Sequence, residues 1–464
     1  MPIFIPLTFY NSTMKKYIAC LLICIWISSI AFCQANKPAV PATQTIDGHP
    51  AWIMQGNIYE VNVRQYTKQG TFKAFGKNLD RLQEMGVQTL WFMPINPISK
   101  AGRKGSLGSY YAVANYTAVN PEFGTFKDFK KLVAEAHEKG MKVIIDWVPN
   151  HTGADNVWIK KHPDFYVKDK NGKPAIPYDW TDTRQLNYKN VVMQDSMIAA
   201  MKFWLVNANI DGFRCDVAWN VPGPFWRKCV DQLSKGRSLF FLAEGDKPYL
   251  HPSGFDATYP WDMFHTMIQV AKGARPATAL DTVLAKYNKQ YAKNGLEMYF
   301  TSNHDENSSN KADFGVFPGP VHAPFAVFTQ TMYHSVPLIY SGQEEPVLRA
   351  VKFFDKDQMK FGKYDRAKFY KALLTLRKRN PALSADASFR KVDAGDKQAV
   401  YAYVREKAGR KVLVILNFSA RPQTITIDDP DLQGKPFNLF HDDYEPLTPK
   451  PWTLAAWGYM VYVY

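Results

Sequence analysis

Short, nearly continuous apolar runs recur along the chain, and most are separated by stretches whose apolar positions keep helical spacing. The runs are NIYEVNV (57–63), VQTLWFM (87–93), MKVIIDWV (141–148), IDGFRCDVA (210–218), SLFFLAE (238–244), EMYFTS (297–302) and VPLIYSG (336–342), with a weaker one at GFDATY (254–259). Each predicts a buried strand. FKDFKKLVAEAHEKG (126–140) carries an apolar stripe and ends on Gly140, as a helix packed on a sheet does. Eight strands alternating with helices predict an α/β fold of the (β/α)8 TIM-barrel type over 56–383, rather than an open sheet.

Two segments break this rhythm. Residues 151–188 are rich in Asp, Lys, Pro and Trp and too long for an ordinary βα loop, so they predict a small domain inserted after strand 3. From 384 to 464, QAVYAYVRE, KVLVILNFS, PQTITID and AAWGYMVYVY read as strands between turns and predict a C-terminal antiparallel β-sandwich. The Pro-rich stretch NKPAVPATQTIDGHP predicts a linker over 36–55. No repeat or low-complexity tract interrupts the chain.

Composition changes the picture little, except at the N-terminus. Hydrophobic content of 46% and charged content of 21% are ordinary for a globular enzyme of 464 residues. The aromatic count is high, at 12 Trp, 25 Tyr and 30 Phe, which suggests flat ring surfaces, although most large aromatics simply fill cores. A net charge of +15 raises the question of nucleic acid. The basic residues are dispersed and no nucleic-acid motif accompanies them, so the charge reads as a solubility trait. Lys15 and Lys16 precede YIACLLICIWISSIAF, an apolar run too short to span a bilayer and followed by small residues. It predicts a signal peptide over 1–35, with Met14 as an alternative start and cleavage after Cys33 or Ala35. The expected protein is exported, periplasmic or extracellular, and not integral to a membrane. Phe32 is bulky for a lipid-attachment motif, which disfavours an anchor on Cys33. Outside the leader only Cys215 and Cys229 remain, read as buried, inert thiols.

In a barrel of this type the chemistry sits where strands end and loops begin. Strand 3 ends in Asp146, Asn150 and His151, strand 4 in Arg214 and Asp216, strand 5 in Glu244, and strand 7 in Asn303, His304 and Asp305. A lone carboxylate at a strand end is commonly a cap or an ion-pair partner. Several converging on one face suit glycosidic cleavage, in which one carboxyl protonates the departing oxygen and another attacks the anomeric carbon. Arg214 and Asp216 are two apart, so strand alternation puts both on one face, and the guanidinium is expected to hold Asp216 ionised.

These segments, in this order, resemble the α-amylase superfamily, glycoside hydrolase family 13. SYYAVANYTAVNPEFGT, WTDTRQLNY, LIYSGQEEP and LRKRNPAL resemble further family segments, so the likeness runs from about Gly56 to the C-terminus. The resemblance implies a retaining hydrolase of α-glucosidic bonds in starch-type glucans or malto-oligosaccharides. It implies Asp216 as nucleophile, Glu244 as acid/base and Asp305 as the third carboxylate gripping sugar hydroxyls. His151 and His304 would hydrogen-bond the same glucose, Arg214 would orient Asp216, and Tyr111 would stack beneath the ring. Asp146 would brace its strand end and Asn303 its loop. Trp219, Trp226 and Trp261 read as core residues rather than sugar platforms.

Departures from the family pattern bear on specificity. The Lys-His pair that contacts leaving-group sugars in many α-amylases is replaced within DVAWNVP, and Val217 follows the nucleophile as in many α-1,6-acting members. Ala114–Asn115 replaces an acidic motif end. The stretch before Gly56 is too short for the N-terminal β-domain of neopullulanase-like relatives. No cofactor is needed for the chemistry. The resemblance adds a structural Ca²⁺ held by Asn150 with Asp182 or other acids of the inserted domain, and the residues by themselves leave the metal open. Within the family the alternative is an α-glucosidase or glucanotransferase. Outside enzymes it is an inactive glycan-binding member, which the three retained carboxylates oppose. The oligomeric state is not legible.

Overall fold

The computed structural model describes residues 44–291, 293–311 and 315–464. The leader over 1–35, Cys33 included, and the first part of 36–55 lie outside these residues. Eight strands form one all-parallel sheet: β1 (Ile58–Val61), β2 (Thr89–Phe92), β3 (Lys142–Trp147), β4 (Gly212–Cys215), β5 (Phe240–Ala243), β6 (Ala257–Thr258), β7 (Leu296–Glu297) and β8 (Leu338–Tyr340). Their order is β7-β6-β5-β4-β3-β2-β1-β8. The sheet closes on itself where Val336 N–H donates to the Glu297 carbonyl at 2.9 Å and Leu338 N–H to that of Tyr299 at 2.8 Å. This is the expected (β/α)8 barrel, and all eight sequence-predicted strands lie in it.

Alternation along the strands sorts the side chains. On β4, Phe213 turns outward to Trp147 and Phe241, at ring separations of 5.8 and 5.9 Å, while Arg214 turns inward. The helix α1 (Phe126–Glu138) shows the complementary pattern, burying Phe129, Leu132, Val133 and Ala136. Its start is set by a capping box between Thr125 and Asp128. Between β5 and β6 the chain makes only the short turn His251–Ser253, whereas two helices, α2 (Trp261–Ala271) and α3 (Ala279–Gln290), follow β6. The β5 exit therefore carries no α-helix of its own.

Residues 151–188 leave the barrel through an antiparallel ribbon that pairs His151–Gly153 with Thr183–Gln185. The C-terminal part is a six-stranded antiparallel sheet of β9 (Ser388–Val392), β10 (Val400–Lys407), β11 (Arg410–Asn417), β12 (Phe437–Asn438), β13 (Asp443–Tyr444) and β14 (Tyr459–Val463). One of its faces packs on the barrel helices. The other is covered by the ribbon Gln423–Ile425/Trp452–Leu454, so the second layer of the expected sandwich has only two strands. Buried Arg405 ties this sheet to the barrel by donating to the carbonyls of Thr331 and Ser384, both at 2.7 Å.

The linker reading of 36–55 is corrected for its second half. Thr45–Ile46 pairs with His49–Pro50, and Ala51–Met54 is a helical turn with Ile53 and Met54 in the core. His49 donates to Asp256 at 2.8 Å and to the Asn294 carbonyl at 2.6 Å, which anchors the segment beneath the barrel. The Pro-rich composition that suggests a linker cannot reveal these distant partners. Among the described residues no helix is long and apolar enough to cross a membrane. Cys215 and Cys229 are free and buried, as expected.

Gly212 opens β4 where the neighbouring backbone comes closest. A Cβ placed there would lie 2.0 Å from the Phe240 carbonyl oxygen. Gly212→Ala is therefore expected to push β4 from β5 and destabilise the protein by about 3 kcal/mol, measured as an earlier thermal unfolding transition together with loss of activity.

Candidate active site

The mouth of the barrel holds a cavity of about 250 Å³ lined by Tyr111, His151, Asp216, Glu244 and Asp305, among others. This is smaller than the roughly 300–1,000 Å³ of drug-sized ligand pockets and suits a single sugar ring. Beneath it lies a buried layer of charge centred on Arg214, whose side chain is fully enclosed. One guanidinium nitrogen, Nη1, donates to Asp146 at 3.0 Å and to Asp216 at 3.1 Å. The other, Nη2, forms an ion pair with Glu244 at 3.1 Å, and Nε donates to the Tyr259 hydroxyl at 3.2 Å.

The strand register delivers this arrangement. Arg214 pairs with Leu242 and Cys215 with Ala243, so one residue further on Asp216 faces Glu244 across adjacent strands. Asp216 N–H donates to the Trp147 carbonyl at 2.8 Å and Glu244 N–H to that of Cys215 at 2.9 Å, extending the ladder to both residues. Val217 then takes a left-handed backbone, φ 46° and ψ 38°. That conformation is unfavourable for a β-branched residue. It aims the Val217 N–H at the Glu244 carboxylate, 2.7 Å away. Asp216 Oδ2 accepts no hydrogen bond from the protein.

Electrostatics correct one expectation. Arg214 pulls the Asp216 carboxyl down, but burial and the facing Glu244 outweigh it, and Asp216 is raised well above the usual carboxylate range. Burial likewise raises Asp146, to about 6, against the pull of Arg214. Carboxylates this close and this dry share protons rather than ionise independently.

His304 is 2% exposed, and both of its ring nitrogens have protein partners. Nδ1 meets Glu60 at 2.5 Å, and Nε2 lies 2.7 Å from the Tyr111 hydroxyl and 3.3 Å from Asp305. The Tyr111 hydroxyl in turn donates to Asp146 at 3.0 Å. Burial disfavours charge on His304, but Asp305 and Glu60 overcome it and raise its pKa to about 9. Tyr111 reaches the cavity, and its ring lies nearly parallel to those of His304 and Phe353, interplanar angles 21° and 11°. His151 lines the cavity as well and is lowered to about 4 by burial. Its Nδ1 lies 3.1 Å from Asn150 Nδ2, which donates to it and thereby fixes a neutral ring protonated at Nε2. Asn303 braces its loop, as expected, by accepting from Glu306 N–H at 2.9 Å.

Asn150 is buried, and its Oδ1 already accepts from Gln185 at 3.0 Å and Asn220 at 2.9 Å. Asp182 faces the Lys104 ammonium at 3.5 Å rather than Asn150. An amide cluster without a carboxylate does not fit a Ca²⁺ site. Among the described residues no group of three His, Cys, Asp or Glu is placed to hold a metal.

The core reading of the three tryptophans holds for Trp226, which is fully buried, and for Trp261, which is half-buried against the core, and fails for Trp219, which is 40% exposed. Trp219 follows the left-handed Val217 in a tight turn that swings its ring out of the barrel wall. Sequence reasoning missed Glu60, Tyr259, Trp180 and Phe353. Glu60 had a legible signal, since a carboxylate inside the apolar run NIYEV must find a buried partner. The others come from loops whose spatial neighbours no local pattern reports.

The profile of the α-amylase catalytic domain matches residues 6–363, and that of the maltogenic amylase C-terminal domain matches 389–461. Over 399 residues the chain is 26% identical to the α-amylase MalA of Haloarcula japonica, covering 81% of this chain and 57% of that longer protein. Among solved structures it is similar to a noncanonic maltogenic α-amylase, AmyB, from Thermotoga neapolitana, with 27% identity and a TM-score of 0.80, covering 89% of this chain and 99% of the other. An α-amylase from Lactobacillus plantarum gives 28% identity and a TM-score of 0.79, with coverage of 89% and 99%.

The charge on His304 has a stability signature. Its folded pKa of about 9 lies above the ordinary 6.5, so the stabilisation is complete below about pH 6.5 and is lost as pH rises through 9. The difference in melting temperature between the native protein and His304→Gln is expected to be largest near pH 6 and to shrink by about pH 10.

Proposed function

The chain belongs to the α-amylase family, and from that premise we propose that it is a retaining glycoside hydrolase cleaving α-glucosidic bonds in starch-type glucans or malto-oligosaccharides. The observation that carries the reading is the placement of Asp216 opposite Glu244 on adjacent strands, with both carboxylates on the one guanidinium of Arg214. Neighbouring strands lie about 4.8 Å apart. Carboxyls rising from such ends suit the roughly 5–5.5 Å of direct attack better than the wider gap that seats a water.

In the first step Asp216 Oδ2 attacks the anomeric carbon as its bond to the glycosidic oxygen breaks. Glu244 gives its proton to that oxygen, and the free sugar departs. The glycosidic oxygen is an acceptor, so a seated substrate favours the proton on Glu244 and leaves Asp216 as the anion. In the second step the Glu244 carboxylate takes a proton from water, the water oxygen attacks the same carbon, and Asp216 is released. Two inversions restore the α configuration. Arg214 stabilises the negative charge as it moves between the two carboxylates. Asp305 grips ring hydroxyls, and neutral His151 lines the same cavity. The α-amylase and maltogenic α-amylase descriptions of the similar proteins support the substrate class. An α-glucosidase or glucanotransferase would use the same carboxylates and differ in what competes for the intermediate.

We also propose that the fold needs no Ca²⁺, because the amides of Gln185 and Asn220 satisfy Asn150 where a cation would be needed. Incubation with excess EDTA is expected to leave both the melting temperature and starch hydrolysis unchanged, and a clear fall in either contradicts this. Asp216→Asn and Glu244→Gln are each expected to lower kcat at least about a thousandfold with the melting temperature retained. A slow fluorosugar substrate should label Asp216, as read by peptide mass spectrometry. NMR should show the α-anomer as the first product, and a β-anomer would mean that the enzyme inverts.

A further inference from the structure

Glu60 is a charged group of the barrel interior that the two hydrolytic steps do not use. It stands on β1 and is fully buried. One carboxylate oxygen meets His304 Nδ1 at 2.5 Å, and the other, Oε2, has no hydrogen-bond partner. A buried carboxylate is costly, and hydrogen bonding to the ring does not require one, since a neutral amide oxygen accepts from Nδ1–H as well. What the carboxylate supplies beyond an amide is its charge.

The hydrogen bonds around His304 report where the protons lie. The Tyr111 hydroxyl has one proton and gives it to Asp146 at 3.0 Å, so its oxygen accepts from His304 Nε2–H at 2.7 Å. Asp305, 3.3 Å from Nε2, favours a second proton on the ring at Nδ1 rather than on Glu60. A ring that donates from both nitrogens is an imidazolium. A neutral ring protonated at Nδ1 would instead take the Tyr111 proton at Nε2 and leave Asp146 without that donor. The Asp305 side chain is about half exposed, and among the described residues His304 is the one ionic or hydrogen-bonding partner of its carboxylate. The same ring thus holds two groups that line the cavity, Tyr111 and Asp305. Facing the Glu60–His304 pair are Asp305 beside it, Tyr111 from the β2 exit, Asp146 on β3, Arg214 on β4, Tyr259 after β6 and Tyr340 on β8.

We propose that Glu60 is a positioning residue for the hydrolytic reaction: its charge holds His304 as an imidazolium, and through that ring it fixes Asp305 and Tyr111 against the sugar being cleaved. The proposal rests on the hydrolase reading and adds to it a residue enclosed beneath the cavity, away from the reacting atoms.

The test uses α-glucosyl fluoride, because fluoride departs with little help from the Glu244 proton, so the alkaline limb of kcat/KM reports other groups. Glu60→Gln keeps the shape and an acceptor for Nδ1 and removes only the charge. His304, raised to about 9 in the native protein, is expected to titrate well below that in the variant, read by NMR on the imidazole resonance that His304→Gln removes. The ratio of native to Glu60→Gln kcat/KM is expected to be about tenfold near pH 8 and to fall below about twofold near pH 6, where the ring is charged in both. In a His304→Gln background, Glu60→Gln should change kcat/KM little at either pH. A loss equal at both pH values makes Glu60 a structural brace, and a loss that persists in the His304→Gln background makes it independent of the ring; either overturns the proposal, as does an unchanged profile. If Glu60→Gln does not fold, the native protein decides. The His304 resonance and the alkaline limb titrating together near pH 9 support the role, and a ring titrating near 6.5, or apart from the activity, overturns it. A native protein inert on the fluoride overturns the hydrolase reading, and this role with it.

Discussion

A single buried guanidinium, that of Arg214, organises the mouth of this barrel. It is fully enclosed and touches Asp146, Asp216 and Glu244, with the faces of Trp91, Tyr111 and Tyr259 around it. A charge so far from water is tolerable only when paired and hydrogen-bonded, and three carboxylates around it would repel one another without it. The dependence is mutual. Removing Arg214 would leave uncompensated buried anions, whereas with it in place they become a preorganised site in a dry setting where each interaction is strong. The second buried pair, Glu60 with His304, extends this layer across the barrel and reaches the cavity through Tyr111 and Asp305.

The backbone geometry supporting that layer is costly and local. Val217 occupies a left-handed conformation, and the return is a backbone N–H aimed at Glu244, a donor that every residue but proline supplies. Gly245, just past Glu244, leaves room for Trp219 to pack across the loop. The two segments that carry the carboxylates thus shape one another through direct contacts.

The sequence by itself determined the barrel, its inserted and C-terminal parts, and the three carboxylates. These are written in local signals: apolar runs of strand length, helical stripes such as 126–138, and charged residues at strand ends. The inward face shared by Arg214 and Asp216 also followed from alternation alone. Only the tertiary structure decided what those groups do to one another. Strand pairing set Asp216 against Glu244, and burial overrode the Arg214 attraction that the sequence suggested would keep Asp216 ionised. His304 is tied into the charged layer because Glu60, 244 positions away, takes one of its nitrogens. Segment 45–55 turned from linker to anchor because His49 meets Asp256. Periodicity reports which face a residue is on, whereas protonation, exposure and contact depend on neighbours brought together by folding, and no local pattern encodes them.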